Sequence, residues 1–191
     1  MKRCPIISLL VFIVNLNFLQ GQSFQFIRES IDIVIGDKYA AVTGIYYFRN
    51  NFNQEITKPI FYPFPINNIL PYPDSIRVFD LKDNLIHFNK SSNGIHFTVY
   101  VPADSEISIK VKYSQKLLSN EMMYILKTTQ NWKHPLLKAE YKISILKEFE
   151  LKEISLEPYN RESNSSYNIF YIYKENFMPI DDLIIKWEGG E

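Results

Sequence analysis

Apolar and polar residues alternate with a period of two along much of the chain. Ile107, Ile109, Val111 and Tyr113 fall on one side, with Ser108, Lys110, Lys112 and Ser114 on the other. Ile95, Phe97, Val99 and Val101 alternate in the same way with His96, Thr98 and Tyr100. Ile31, Ile33 and Ile35 form a third set, and Leu183, Ile185 and Trp187 a fourth. This period marks strands with one buried face. Turn residues punctuate the runs. Gly36-Asp37 separates a strand over 24–35 from one over 39–50, and Asp83-Asn84 separates 75–81 from 85–89. Asn93-Gly94 suits the paired positive φ angles of a tight hairpin turn, and Pro102 to Ser105 makes the next turn. Residues 75–115 therefore predict a four-stranded antiparallel meander. Further strands are predicted near 122–129, 139–147, 151–157, 168–174 and 182–188, with the polar stretch 158–167 as a loop. The spacing of Leu117, Leu118, Met122, Ile125 and Leu126 fits either a strand or a short helix.

Composition points the same way. Isoleucine occurs 26 times, alanine 4 times, and there are 29 aromatic residues, a mixture that favours half-buried strands over helices. The expected fold is all-β: a single antiparallel sandwich of about ten strands over residues 22–191, with little helix outside the N-terminal segment. Hydrophobic residues at 46% and charged residues at 22% are values of a chain that buries a core.

Residues 1–21 read as a Sec-type signal peptide. Lys2 and Arg3 precede an apolar run from Pro5 to Leu19, and Gly21 supplies a small residue before the cut. Asn15 and Asn17 make that run too polar to span a bilayer comfortably. The expected address is the periplasm or the outside of the cell. The one cysteine, Cys4, leaves with the signal, so the exported domain has no disulfide and relies on its core. No second apolar stretch approaches membrane-spanning length. The 21 basic and 21 acidic residues cancel, so no basic surplus exists for nucleic acid or anionic lipid.

Three stretches carry a family resemblance. The first is Val42-Thr-Gly-Ile-Tyr-Tyr-Phe-Arg-Asn50 followed by Ile60-Phe-Tyr-Pro-Phe-Pro65. The second is Ile107 to Leu117, with Tyr113-Ser-Gln115 near its end. The third is Tyr124-Ile-Leu-Lys-Thr-Thr with Trp132 and Pro135-Leu136, closed by Phe177-Met-Pro-Ile-Asp-Asp-Leu-Ile-Ile-Lys-Trp187. Together they resemble the VIT domain (the inter-alpha-trypsin-inhibitor N-terminal module) and a bacterial family of exported VIT-like proteins of unknown function. The resemblance implies a β-sandwich and an exported address, and it implies no mechanism. The companion von Willebrand A domain and its metal-ion-dependent adhesion motif do not appear in this sequence.

Candidate chemistry is sparse. The three histidines, His87, His96 and His134, show no metal-ligand spacing. No nucleophile elbow and no glycine-rich phosphate loop occur. The acidic pairs Asp181-Asp182, Asp80 with Asp83, and Asp104 with Glu106 suit turns and strand ends. No cofactor, no metal and no catalytic residue is therefore expected. Aromatic residues are the remaining signal. Pro63, Pro65, Pro71 and Pro73 keep residues 63–74 at an edge or outside the sheet. Tyr62, Phe64 and Tyr72 then form a strip that either folds over the open end of the sandwich or presents a platform to a partner. Trp132, with His134 beside it, either pins its loop to the sandwich or forms a contact hot spot. The expected function is a non-enzymatic interaction module for an envelope or secreted protein. The alternative is a carbohydrate-binding module stacking sugars on Tyr62, Tyr72 or Trp132, and a hydrolase is a distant third. The exposure of these rings separates the readings.

Overall fold

The computed structural model describes residues 24–189. The signal peptide expected over residues 1–21 lies outside them. The described residues form thirteen strands: β1 (Phe24–Ile35), β2 (Tyr39–Asn50), β3 (Ile56–Pro63), β4 (Ser75–Phe79), β5 (Phe88–Ser91), β6 (Gly94–Val101) and β7 (Ser105–Lys116), then β8 (Glu121–Tyr124), β9 (Leu136–Leu146), β10 (Glu150–Ile154), β11 (Asn160–Ser163), β12 (Tyr167–Phe177) and β13 (Leu183–Glu188). One short 3₁₀ helix, Lys127–Trp132, lies between β8 and β9. The all-β sandwich expected from the alternation is the fold.

A seven-stranded sheet, ordered β11-β12-β9-β1-β2-β7-β4, forms the main layer. Two three-stranded sheets, β10-β13-β8 and β3-β6-β5, supply the rest. Side chains from all three sheets meet in one continuous core, with Ile33, Val42, Val111 and Ile143 from the large sheet, Val99 from one small sheet and Ile185 from the other. Pairing is antiparallel except between β1 and β9, which run parallel at the centre of the large sheet. That parallel pair needs a crossover, and the chain from β2 to β8 supplies it. Trp187 is buried and stacks on Phe149 at 6.0 Å, as its phase with Leu183 and Ile185 predicts.

The predicted meander over 75–115 does not form. β4 pairs with β7 in the large sheet, whereas β5 and β6 belong to a small one. Only an isolated bridge, Phe79 to Leu85, links the first hairpin, and the second strand begins at Phe88 instead of Leu85. Alternation assigns a face to each strand but no partner. The β5–β6 turn also differs. Ser91 pairs with Gly94, so the turn residues are Ser92 and Asn93, and neither Asn93 nor Gly94 has a positive φ. Gly94 is needed for close approach: a Cβ there would overlap the Tyr62 carbonyl oxygen and the Phe61 ring. The expected loop over 158–167 contains β11, an edge strand exposed at all four residues, which shows no alternation to read. Residues 117–127 resolve into β8 followed by the start of the 3₁₀ helix.

Side-chain amides fasten the strand ends. Asn50 is fully buried at the end of β2. Its Nδ2 donates to the carbonyls of Gln54 and Pro102, and its Oδ1 accepts the Phe52 N–H. Gln115, equally buried on β7, donates to the carbonyls of Pro65 and Pro71 and so holds the proline-rich segment against the sheet. Removing either amide takes the donor away from carbonyls that are at least partly buried. Asn50→Ala is expected to cost about 2 kcal/mol or more and to lower the melting temperature by about 5–8 °C, read by far-UV circular dichroism. Asn51→Ala, at an exposed neighbour, serves as the control and should change little.

Candidate functional site

The site begins with an irregularity in β1. Phe26 pairs with Phe48 and Arg28 with Tyr47, so Ile27 is an extra residue, a β-bulge. The bulge switches the inward phase from Phe26 to Glu29, Ile31, Ile33 and Ile35. Without it Arg28 would face the core and Glu29 the solvent. Bulges commonly re-aim a side chain in this way. Glu29 is consequently 4% exposed. Its Oε1 accepts a hydrogen bond from the Tyr141 hydroxyl on neighbouring β9. Burial pushes the Glu29 carboxyl up from an ordinary 4.5 to about 7, and the Tyr141 hydrogen bond only partly opposes this.

Across from Glu29 three tyrosine hydroxyls meet. Tyr46 Oη lies 2.7 Å from Tyr62 Oη and 2.7 Å from Tyr124 Oη. Tyr46 comes from β2, Tyr62 from β3 and Tyr124 from β8, one from each sheet. Three O–H groups make two mutual hydrogen bonds, so one hydroxyl proton is left to donate elsewhere. Burial raises the pKa of all three well above the usual tyrosine value, and the nearby Glu29 adds to the effect. They are neutral hydroxyls at any physiological pH. Tyr46 reaches the centre because Gly44 precedes it on the same face of β2. A Cβ on Gly44 would overlap the Tyr46 ring and hydroxyl.

These groups line a cavity of about 70 Å³. Phe26, Phe48, Tyr113 and Trp132 supply further aromatic wall, and Thr128 and Thr129 supply polar edges. No Lys, Arg or His lines it. At Ile60, Phe61 and Trp132 it adjoins an open groove of about 360 Å³ that also includes Phe24, Phe52, Lys58 and Pro59. A carboxyl poised near neutrality is the kind of group used in general acid–base chemistry. Here it stands as the cavity's single carboxyl, without a histidine or lysine beside it. The described residues contain no group of three or more His, Cys, Asp or Glu that could hold a metal ion.

The structure divides the five residues expected to bind. Tyr62 and Phe64 are buried, and Phe64 packs edge-on against Tyr72 and Tyr113 at 5.6 and 5.0 Å. They are therefore not an exposed platform: the strip folds over the end of the sandwich, where Gln115 anchors its prolines. Tyr72 is half-buried and donates its hydroxyl proton to the Gly94 carbonyl. Trp132 is half-buried and packs on Phe24, Phe26 and Phe48 at 5.6–5.8 Å, which pins its loop. It also borders both the cavity and the groove. His134 sits outside the cavity; its Nδ1 lies 3.2 Å from the Pro135 carbonyl oxygen and its buried Nε2 has no partner. Thus Tyr62 and Trp132 belong to one site, though as walls and not as stacking faces. Glu29, Tyr46 and Tyr124 escaped the sequence reading. The signal for Glu29 was present as a phase slip: Phe24 and Phe26 are even-numbered, while Ile31, Ile33 and Ile35 are odd. Asp182, read as a solvated turn acid, instead accepts the N–H groups of Leu126 and Lys127 and fixes the start of the 3₁₀ helix that carries Trp132.

Together, fold and site define an all-β sandwich with an aromatic-walled cavity holding one carboxyl. Comparison with known proteins fits this at the level of fold. The model of a domain of unknown function, DUF4424, matches residues 103–185, from β7 into β13. No curated protein sequence matches the chain. Among solved structures, a Legionella pneumophila protein provisionally described as nutrient-binding aligns over 86% of this chain and 67% of its own, with TM-score 0.69 and 16% identity. An M1 zinc metallopeptidase from Deinococcus radiodurans aligns over 86% of this chain, with TM-score 0.54 and 7% identity. The chain spans only 42% of that peptidase. At these identities the likeness is one of fold.

Two predictions follow from the geometry. Below about pH 4.5 Glu29 is protonated in both folded and unfolded states and makes no difference to stability. As pH rises from about 4.5 to about 7 the unfolded carboxyl ionises while the buried one resists, so the folded state loses stability, and the loss levels off above 7. Relative to wild type, Glu29→Gln should therefore gain about 2–3 kcal/mol between pH 5 and pH 8, read by urea unfolding. A difference independent of pH would contradict the burial of an ionisable carboxyl. Gly44→Ala should destabilise by about 1–3 kcal/mol through overpacking against Tyr46. In the background of Tyr46→Ala the same change should cost much less, and a double-mutant cycle measures the coupling.

Proposed function

We propose that the protein is an exported, non-catalytic β-sandwich module that holds a small polar ligand between its sheets. The observation that carries this is the enclosed carboxyl facing a tyrosine hydroxyl cluster with one proton to spare. A sheet core ordinarily fills such space with aliphatic side chains, because each buried polar group must find a partner. Sites that bind small molecules have this make-up: apolar and aromatic walls with a few convergent polar groups. The likeness in fold to the Legionella pneumophila protein provisionally described as nutrient-binding supports the same reading. The single carboxyl supports binding over hydrolysis, since glycoside hydrolysis by the usual route uses two. The exported address comes from the signal-like residues 1–21, and the VIT-like character from the motifs around Asn50 and Pro65; both belong to this proposal.

A protein partner is the second reading. Phe52 and Phe61 are exposed large apolar residues beside the groove that Trp132 borders, and exposed aromatic rings of this kind mark contact surfaces.

A thermal-shift screen of small polar metabolites, followed by native mass spectrometry, tests the first reading. A one-to-one hit is expected to raise the melting temperature of wild type, and Tyr46→Phe, lacking the central hydroxyl, should lose most of that shift. Absence of any hit, together with envelope crosslinking of one protein lost on Phe61→Ala, would replace it with the second reading.

A further inference from the structure

We propose that the cavity receives a small organic cation, its ammonium head group seated among Phe26, Tyr46, Tyr62 and Trp132 with the Glu29 carboxylate as counter-ion. The inference rests on the small-ligand reading of the same cavity and names the chemical class. Four observations carry it.

First, Glu29 is 4% exposed, and among the described residues its hydrogen-bond partner is the neutral Tyr141 hydroxyl, on one oxygen. A buried carboxylate is costly without a cation beside it. Second, no such cation comes from the described residues that line the cavity; Lys58 lies in the adjoining groove. The titratable groups around Glu29 are the hydroxyls of Tyr141 on β9, Tyr46 on β2, Tyr62 on β3, Tyr124 on β8 and Tyr113 on β7, and no Lys, Arg or His lines the cavity. A cation from outside completes the pair. Third, the walls are largely aromatic side chains, and desolvated aromatic cages attract ammonium groups through the ring quadrupole. Fourth, the spare tyrosine proton can donate to an oxygen on the same ligand. The volume of about 70 Å³ is several times what one water needs, enough for a head group of a few heavy atoms. The open groove at Ile60, Phe61 and Trp132 leaves room for whatever the head group is attached to.

The position of the Glu29 equilibrium near 7 gives the proposal a signature that a structural role lacks. A permanent cation binds the carboxylate form. Its affinity should therefore fall roughly tenfold from pH 8 to pH 6, as the ionised fraction drops from about nine-tenths to about one-tenth.

The test is isothermal titration of the full exported domain with choline and with 3,3-dimethylbutan-1-ol, its neutral isostere, at pH 6 and pH 8. Nα-acetyl-lysine amide is the third probe and stands for an ammonium carried on a protein partner. Choline or the lysine amide is expected to bind at least tenfold more tightly than the neutral alcohol, with the tenfold pH effect. Glu29→Gln, nearly the same shape and still able to accept from Tyr141, should erase both the discrimination and the pH effect. Tighter binding of the lysine amide would assign the ammonium to a partner's side chain; tighter binding of choline would assign it to a free small molecule. Equal binding of choline and the alcohol, unaffected by pH, would overturn the cation and leave the cavity as a neutral-ligand site. Binding of neither ammonium probe, alongside a hit in the thermal-shift screen, would overturn the cation in the same way. Failure of every probe and of the screen together would remove the ligand reading as well.

Discussion

Three separate sheets meet at one buried pair of side-chain hydrogen bonds. Tyr46 stands at the centre, bonded through its hydroxyl to Tyr62 on one small sheet and to Tyr124 on the other. Apolar packing holds sheets together without specifying their relative position, because it lacks direction. Hydrogen bonds buried among aromatic rings do specify position, since any slip leaves hydroxyls unpaired in a medium that penalises them. The rest of the arrangement follows from keeping Tyr46 in place. Gly44 clears the space its ring occupies. Gly94 lets β3, the strand of Tyr62, approach β6 closely. Asp182 fixes the backbone immediately after Tyr124 by accepting two N–H groups.

The same geometry explains why a carboxyl survives in the core. The bulge at Ile27 turns Glu29 inward, and Tyr141 is positioned by the parallel β1–β9 pairing to meet it. On the opposite face the switch sends Arg28 outward, where it joins Arg49 around Glu106 in an ion-paired cluster across β1, β2 and β7. Arg49 first, and then Arg28, hold the Glu106 carboxyl below its usual range. One irregularity thus sorts two neighbouring charges, Arg28 and Glu29, into a solvated network and a buried site.

Much of the fold was readable from alternation. β1 and β2 have the bounds that the pattern over 24–35 and 39–50 predicted, and Asn50 caps its turn as an amide at a strand end should. Pairing was not readable, because a period of two says which residues face the core and nothing about which strand lies alongside. That is why 75–115 looked like a meander yet divides between two sheets. β11 was missed because a strand exposed on both faces has no period. The site was only half legible. Tyr62 and Trp132 were visible as large aromatic residues, but the Tyr46 hydroxyl that bonds Tyr62 also bonds Tyr124, from a strand 78 residues away in sequence. Glu29 sits within Arg28-Glu29-Ser30, a polar triplet that resembles a solvated stretch until the change of phase on either side of it is noticed.

β3 borders the groove and forms one edge of its sheet, with Pro59 and Pro63 among its eight residues. Proline offers no N–H, so this edge presents an interrupted row of donors and is a poor template for another chain's strand. At the far edge of the large sheet, β11 carries Arg161 and Glu162 on a four-residue strand, too short and too charged to extend. A domain dominated by isoleucine and aromatic side chains, with no disulfide among its described residues, faces a real hazard of ordered aggregation at high local concentration. At these two edges, crowding meets poor templates for converting sheet into fibril.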